Sequence, residues 1–240
     1  MIAAVLSDAL AVYRRLIARS VAVAGIVFAV VSLADALAAR AATATATLVS
    51  LLLALVGGLL VQGALVELVR DLHEGRPSAP VAAVVDRTRG RLGTLLGAAL
   101  LYGIAVLAGF LALVVPGLVA IARFSLVVPA VVIERLGVRE AFARSSRLVA
   151  GRTGAVLALV VVANVVTSAA AGLVTAAFGF LPAFLAIWLG GTVAGALAVP
   201  FEAHVLTVLY YLLTEPERPV LPDGPRGERR RSLGDGEPSA

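Results

Sequence analysis

Residues 138–152 read VREAFARSSRLVAGR, and the next 49 residues, 153–201, contain no charged side chain. In the first segment, apolar side chains recur three and four positions apart, so they share one face of a helix and the arginines fall on the other. The second segment is more than twice the roughly 20 residues that one membrane crossing needs. Together they predict a surface helix that lies along a membrane and leads into a membrane hairpin.

The same pattern occurs at two earlier places, and each copy is again followed by a long apolar run. Shifts of 75 and 132 residues align the second and third copies with the first. The aligned positions are Leu6, Ala9, Leu10, Tyr13, Leu16 and Ile17; Val81, Val84, Val85, Thr88, Arg91 and Leu92; and Val138, Ala141, Phe142, Ser145, Leu148 and Val149. The sequence therefore predicts an all-α integral membrane protein built from three repeats of amphipathic surface helix plus hairpin.

The composition favours a lipid environment for most of the chain. Hydrophobic residues make up 60% of the 240 positions, charged residues make up 15%, and the mean hydropathy is +1.01. A soluble domain of this size would expose far more charge. Cysteine is absent, which excludes disulfides and thiolate ligands, and His73 and His204 are too few for an imidazole metal site. We expect no metal and no cofactor.

All of the basic side chains are arginine, and the net charge is +5. A basic chain can bind nucleic acid, but these arginines flank apolar spans, where the usual partner is an anionic lipid headgroup. The expected partners are therefore the lipid bilayer, the anionic headgroups at its cytoplasmic face and, as a second class, another membrane protein. We expect no nucleic acid.

Six spans fit the apolar segments of a membrane domain over residues 1–214, although a seventh can also be placed. Their predicted bounds are about 20–38, 44–67, 93–115, 118–134, 155–177 and 190–213. The Pro116-Gly117 pair and residues 178–182 supply the turns within the two longest apolar runs. Residues 184–188, which include the tryptophan, are expected in the outer interface. Residues 215–240 are predicted to be a disordered cytoplasmic tail.

The arginine positions orient these spans. Eighteen of the 20 arginines fall on one side, which leaves Arg40 on the other side and Arg123 within a span. Cytoplasmic loops are enriched in arginine, so the pattern predicts a multi-pass protein of the cytoplasmic (inner) membrane with both termini in the cytoplasm. A cleavable signal peptide is an alternative interpretation of the N-terminus. The recurrence of its amphipathic pattern later in the chain disfavours that alternative.

Four polar side chains fall at a similar depth inside the predicted spans. At 1.5 Å per residue, Arg123 and Glu202 both lie roughly 16 Å from the cytoplasmic ends, and Asn164 and Gln62 lie near that level. Ionisable groups in a bilayer are costly and are candidates for functional sites. We expect Arg123 and Glu202 to pair, with Asn164 or Gln62 completing the hydrogen bonds. Such a pair can fix the helix register, or it can contact a substrate.

Other features are less specific. Pro129 and Pro200 fall within spans four and six and are expected to kink them. Ser145 and Ser146 are expected on a solvated, lipid-facing surface of the third amphipathic helix. The sequence contains no phosphate-binding glycine-rich loop with a following lysine, no His-Glu pair at helical spacing and no nucleophile elbow. We therefore expect no enzymatic activity.

Residues 116–134 read PGLVAIARFSLVVPAVVIE, residues 137–152 read GVREAFARSSRLVAGR, and residues 209–213 read LYYLL. These segments resemble the membrane-domain family that is fused to glycerophosphoryl diester phosphodiesterases, and related stand-alone bacterial inner-membrane proteins of undefined function. The Asp-Leu-Arg that typically follows the tyrosines in that family is absent here. No soluble segment of the sequence is long enough to hold the phosphodiesterase domain. The resemblance implies an accessory membrane module, with signature positions at Arg123, Pro129, Glu134, Arg144 and Arg147.

We therefore expect a non-enzymatic membrane module that organises lipid or a partner protein. The alternative is a small transporter or lipid-handling protein that uses the intramembrane Arg123–Glu202 pair. Among the surface helices, the third is favoured for contact with lipid or a partner. Its candidate contact residues are Arg139, Arg144, Arg147 and Arg152.

Overall fold

The computed structural model describes residues 2–77, 79–215 and 220, and every regular element in this part of the chain is helical. The helices are α1 Ile2–Ala41, α2 Ala44–His73, α3 Val81–Arg89, α4 Leu92–Ala112, α5 Val114–Phe124, α6 Val127–Ile133, α7 Val138–Val149, α8 Thr153–Ala177, α9 Ala183–Leu185 and α10 Gly191–Thr214. A π-helical turn, Ala186–Gly190, joins α9 to α10.

Six helical segments within the described residues are long and apolar enough to cross a membrane. They are Ile2–Ala41, Ala44–His73, Leu92–Ala112, Val114–Ile133, Thr153–Ala177 and Ala183–Thr214. Large apolar side chains cover their outer surface: Leu100, Leu111 and Leu173 are 67%, 80% and 74% exposed. Such a surface suits hydrocarbon and not water. The predicted all-α class and the count of six spans both agree with this architecture.

The first predicted surface helix is not a separate element. Helix α1 runs from Ile2 to Ala41 without interruption, because no proline or glycine occurs before Gly25 to end it. At 1.5 Å per residue its 40 residues measure about 60 Å. That length is twice the hydrocarbon thickness of about 30 Å. The predicted first surface helix and the first span are therefore parts of one continuous helix, with no break between them.

The face that the first half of α1 buries also differs from the predicted stripe. Its buried positions are Val5, Asp8, Ala9, Val12 and Leu16. Leu10 and Ile17, which belong to the predicted stripe, are 40% and 43% exposed. This half of α1 thus carries two adjacent apolar faces, one packed against protein and one exposed. The predicted stripe contains residues of both faces.

The second and third predicted surface helices do form separate short elements. Helix α3 packs on α2, and helix α7 packs on α5 and α6. The buried positions of α7 are Ala141, Phe142, Ser145 and Val149, which all belong to the predicted stripe. The two helices dock on different neighbours and the first copy has merged into α1, so the elements do not show a threefold repeat.

The turn between the third and fourth spans lies earlier than expected. It falls at Leu113, an extended residue with φ −173° and ψ 162°, and not at the Pro116-Gly117 pair. Pro116 instead occupies the first turn of α5, where a missing N–H costs no helical hydrogen bond. A proline near a predicted turn can therefore mark the start of the next helix.

The fourth span is interrupted between α5 and α6, at Ser125 and Leu126. Pro129 explains this break, because its ring clashes with the carbonyl four residues earlier and it cannot donate a hydrogen bond to it. Pro200 has no such effect on the assignment, and α10 continues through it. Of the two prolines within spans, only Pro129 is thus accompanied by a break in its helix.

The long helix α1 packs mainly against α10 and α2. A Cβ atom at Gly57 of α2 would lie 2.7 Å from Val31 Cγ2, so only glycine allows this close approach. At the same end of the bundle, the Nε1 of Trp188 donates a hydrogen bond of 3.1 Å to the carbonyl of Ala29. Residues 184–188 are therefore helical and held against α1.

Candidate functional site

A cavity of about 270 Å³ lies among α2, α4, α8, α10 and the α5–α6 break. Its polar lining side chains are Gln62, Tyr102, Ser125 and Glu202. Glu202 precedes Thr214 by 12 residues, which places it roughly 18 Å from the end of α10. Gln62 and Tyr102 lie roughly 15–17 Å from His73 at the end of α2 and Leu92 at the start of α4. The structure thus brings together two of the four predicted polar residues and adds two that the sequence did not indicate.

Arg123 does not pair with Glu202. Its side chain is exposed, and its Nε donates a hydrogen bond of 2.7 Å to Ser146 Oγ on α7. Asn164 is also exposed and lies one turn beyond Val160, the α8 residue that lines the cavity. The depth estimate was adequate for Glu202 and Gln62, but depth alone did not show that Arg123 bonds to α7 or that Asn164 lies one turn past the cavity.

Ser145 connects α7 to the broken fourth span. It is fully buried, and its hydroxyl donates to the Arg123 carbonyl at 2.8 Å and accepts from the Leu126 N–H at 3.2 Å. These are backbone groups that the helix interruption leaves without helical partners. Ser145 is therefore a docking residue, and the expectation that it faces solvent and lipid was wrong.

Arg144 anchors the same helix through an ionic contact. Its Nη2 lies 2.7 Å from Glu134 Oε1, and the hydroxyl of Tyr210 on α10 donates to the same oxygen. The hydrogen bond to Glu134 raises the pKa of Arg144. By contrast, Arg139, Arg147 and Arg152 are exposed and form no ion pair among the described residues. Of the four predicted contact residues, Arg144 thus pairs with the protein, and the other three present exposed positive charges.

Helix α3 is held by a different cluster, which the sequence analysis did not identify. Arg87 contacts Asp71 at 3.2 Å and Glu67 at 3.5 Å, and both carboxylate residues are buried on α2. The hydrogen bond to Asp71 raises the pKa of Arg87. Glu67 and Asp71 stand four residues apart in a mostly apolar helix, which was a usable sequence signal.

The cluster extends around the end of α2. Arg70 contacts Glu74 at 2.8 Å, and Arg76 pairs with Glu74 as well. Partial burial opposes ionisation of Glu74, but the hydrogen bond from Arg70 and the charges of Arg70 and Arg76 outweigh it and lower the pKa of Glu74. The His73 ring stacks on Tyr211 with centroids 4.0 Å apart, so the cluster also reaches α10.

A basic cavity of about 520 Å³ lies between α1 and the end of α2. Arg15, Arg19 and Arg76 contribute to its lining. Arg15 and Arg19 are exposed and form no ion pair among the described residues. The ends of α2 and α10, residues 14–19 of α1, and helices α3 and α7 together form what we call the basic end of the bundle.

Two further polar contacts join helices of the bundle. Ser20 on α1 and His204 Nε2 on α10 lie 3.0 Å apart and are both fully buried. Arg91 donates to the Val131 carbonyl at 3.1 Å, which satisfies a carbonyl near the end of α6. The described residues contain no group of three or more acidic, histidine or cysteine side chains that could hold a metal ion. Most of the predicted tail lies outside the described residues, and Val220 within it is buried.

Six apolar helices with a charged, arginine-rich end define a multi-pass α-helical membrane protein. Residues 77–214 match the family described as a domain of unknown function, DUF7847, and the chain belongs to this family. No match links it to the membrane domains of glycerophosphoryl diester phosphodiesterases. No curated protein and no solved structure matches the chain.

Proposed function

We propose that the chain is a non-enzymatic membrane module that gathers anionic lipid at the basic end. The observation that carries the proposal is the set of exposed, unpaired arginines on α1 and α7, which includes Arg15, Arg19 and Arg147. A guanidinium held beside a membrane span has the phosphate of an anionic lipid as its nearest counter-charge. Contact with a partner membrane protein through the same arginines is a further part of the proposal.

The orientation belongs to the same proposal. The arginine-rich end faces the cytoplasm and the protein resides in the cytoplasmic membrane, as the distribution of positive charge favours. An accessory role beside a phosphodiesterase rests only on the resemblance of residues 116–152. The natural absence of cysteine allows a direct test of orientation. In intact cells, an impermeant maleimide should label Arg40→Cys and should label Arg147→Cys only after the membrane is opened; the reverse pattern contradicts the orientation.

Lipid selection can be measured with the full chain in liposomes by electron paramagnetic resonance of spin-labelled lipids. Phosphatidylglycerol should associate with the protein more strongly than phosphatidylcholine, and the preference should decline as salt screens it. One arginine near an anionic surface contributes about 1 kcal/mol, so Arg147→Gln should reduce the preference several-fold at most. Arg40→Gln is the matched control from the opposite end. Equal association of the two lipids with the wild type would refute lipid gathering.

The cavity at Glu202 favours a second candidate function, a small transporter or lipid-handling protein. Polar side chains from several helices surround this space near the middle of the spans, which is where transporters place their sites. The alternative no longer involves Arg123, which lies on another face. A pH-sensitive dye inside proteoliposomes should report a proton flux that Glu202→Gln abolishes. A flux that is identical in the two proteins, or absent from both, would exclude proton-coupled transport through this residue.

A further inference from the structure

We propose that the Glu202 cavity is a binding site for a small organic ammonium ion with an apolar body. The inference deepens the second candidate function because it names a ligand class for that cavity. Binding at equilibrium does not require transport, so a binding assay and a flux assay can fail independently. It also does not depend on the arginines of the basic end, none of which is among the residues that line this cavity.

The first argument is the isolation of the Glu202 carboxylate from protein cations. No arginine forms an ion pair with it among the described residues, and Arg123 of the α5–α6 segment is bonded to Ser146 instead. Glu202 lies roughly 18 Å from the end of its helix, where the bilayer offers no counter-charge. A carboxylate at this depth therefore favours a ligand that brings a positive charge.

The second argument is the set of hydrogen-bonding groups around that carboxylate. Gln62 and Tyr102 line the same cavity, and neither side chain has a hydrogen-bond partner among the described residues. An amide oxygen, a phenol oxygen and a carboxylate can all accept hydrogen bonds from an ammonium group, which has up to three N–H donors. The three side chains come from α2, α4 and α10, so they surround the space.

The third argument concerns the rest of the ligand. Apart from its polar groups, the cavity is lined by leucine, valine, alanine and Phe124. The rings of Phe124 and Tyr102 can attract a cation through their faces, and the aliphatic walls favour an apolar body over a bare ion. A volume of about 270 Å³ is slightly below the range of pockets for drug-sized ligands, so the ligand is about the size of benzylammonium.

A hard metal ion fits this lining poorly. Calcium requires six to eight oxygen ligands and magnesium requires a near-octahedral set, whereas the cavity offers one carboxylate. No metal-binding cluster occurs in the described part of the chain. A proton alone could neutralise Glu202, and in that case the cavity would bind neutral and charged ligands equally. This alternative is one of the outcomes of the following test.

The experiment compares [¹⁴C]benzylammonium with [¹⁴C]benzyl alcohol, which is nearly isosteric and uncharged. The full-length chain is placed in phosphatidylcholine nanodiscs, and equilibrium dialysis at pH 7 measures binding against nanodiscs without protein. Benzylammonium should bind about tenfold more tightly than benzyl alcohol to the wild type. Glu202→Gln should remove this preference, and Glu202→Asp should retain part of it. Asp86→Asn, which removes an exposed carboxylate on α3, should leave the preference unchanged.

A second variant tests whether the ligand binds inside this cavity. Ala99→Phe keeps Glu202 but fills the cavity, so it should prevent binding of both ligands. Equal affinity of the wild type for the two ligands would indicate a protonated, merely apolar site and would overturn the proposal. A preference that survives Glu202→Gln, or wild-type protein that binds neither ligand, would also overturn it.

Discussion

Helices α3 and α7 arise from the same amphipathic pattern, but the protein attaches them by different means. Helix α3 is held by ion pairs in addition to its packed face: Arg87 contacts Asp71 and Glu67, two buried carboxylates of α2. Helix α7 is held through Ser145, which bonds the freed backbone of the broken span, and through the Arg144–Glu134 contact. An arginine on a membrane-surface helix is therefore not automatically a lipid contact, because a carboxylate of the protein can pair with it instead.

The largest effect is expected from removal of Arg87. Arg87→Met leaves Glu67 and Asp71, with side chains 5% and 4% exposed, without their main cation. Loss of one partner from a buried ion pair costs about 3–5 kcal/mol, and Arg70 and Arg76 nearby should reduce this to the lower end. Equilibrium unfolding of the full chain in mixed micelles measures the change. Arg89→Met, at an exposed arginine of α3, is the control, and an equal loss there would contradict charge-based docking.

The packing of α3 on α2 can be tested next. A Cβ atom at Gly63 would lie 2.5 Å from Thr88 Cγ2 and 3.2 Å from Leu95 Cδ1. Gly63→Ala should therefore destabilise the protein by about 1–3 kcal/mol through overpacking. Thr88→Ser removes the clashing methyl group and should recover part of the loss in the double variant. Strictly additive effects in the same unfolding assay would show that the two residues do not meet.

The corresponding change in α7 removes hydrogen bonds and no charge. Ser145→Ala leaves the Arg123 carbonyl and the Leu126 N–H without their side-chain partner in a buried position. We expect a loss of about 1–2 kcal/mol. Ser146→Ala, which loses only an exposed bond to Arg123, should change stability by a few tenths of a kcal/mol. If the two variants lose equal stability, Ser145 does not have the docking role that its contacts indicate.

The smallest effect is expected in the pH dependence of stability, which should differ between a carboxylate beside α3 and one on α7. The pKa of Glu74 is lowered in the folded protein, so its contribution is present at neutral pH and is lost as the pH falls below the unfolded value and through the folded one. Glu74→Gln should therefore flatten the decline in stability as the pH falls below about 5, by less than about 1 kcal/mol for this partly exposed group, and melting temperatures across this pH range measure the change. Glu140→Gln on α7 is the comparison. If Glu74→Gln leaves the acid-induced decline in stability unchanged, the contacts of Glu74 with Arg70 and Arg76 do not stabilise the protein.

The sequence predicted the elements of this fold better than their boundaries and contacts. Spacing and composition identified six apolar spans and the helices α3 and α7, because each depends on local periodicity. The continuity of α1 escaped prediction, since an amphipathic pattern and an apolar span can share one helix when no breaker separates them. The turn at Leu113 escaped it too, because Pro116 suits the first turn of a helix as well as a loop.

The candidate site was predicted in part for a related reason. Counting residues from the span ends estimates depth, and Glu202 and Gln62 do meet in one cavity. The same count cannot assign contacts, so it grouped Arg123 and Asn164 with them, whereas Arg123 bonds to Ser146 on α7 and Asn164 is exposed one turn beyond Val160. Tyr102 was missed because a tyrosine within an apolar run is usually a packing residue. The docking role of Ser145 depends on the helix interruption that Pro129 causes. The sequence pattern around Ser145 does not show that α7 packs against this interruption.

Trp188 is the only tryptophan in the chain, and its hydrogen bond to Ala29 gives it a defined environment in the π-helical turn that precedes α10. Its fluorescence is therefore an intrinsic optical signal for a single contact between α1 and the last span. The basic end lies at the opposite terminus of α10, so substitutions there should leave this emission unchanged unless they disturb the whole bundle. One emission spectrum can thus distinguish local loosening of a surface helix from global unfolding, without any added label.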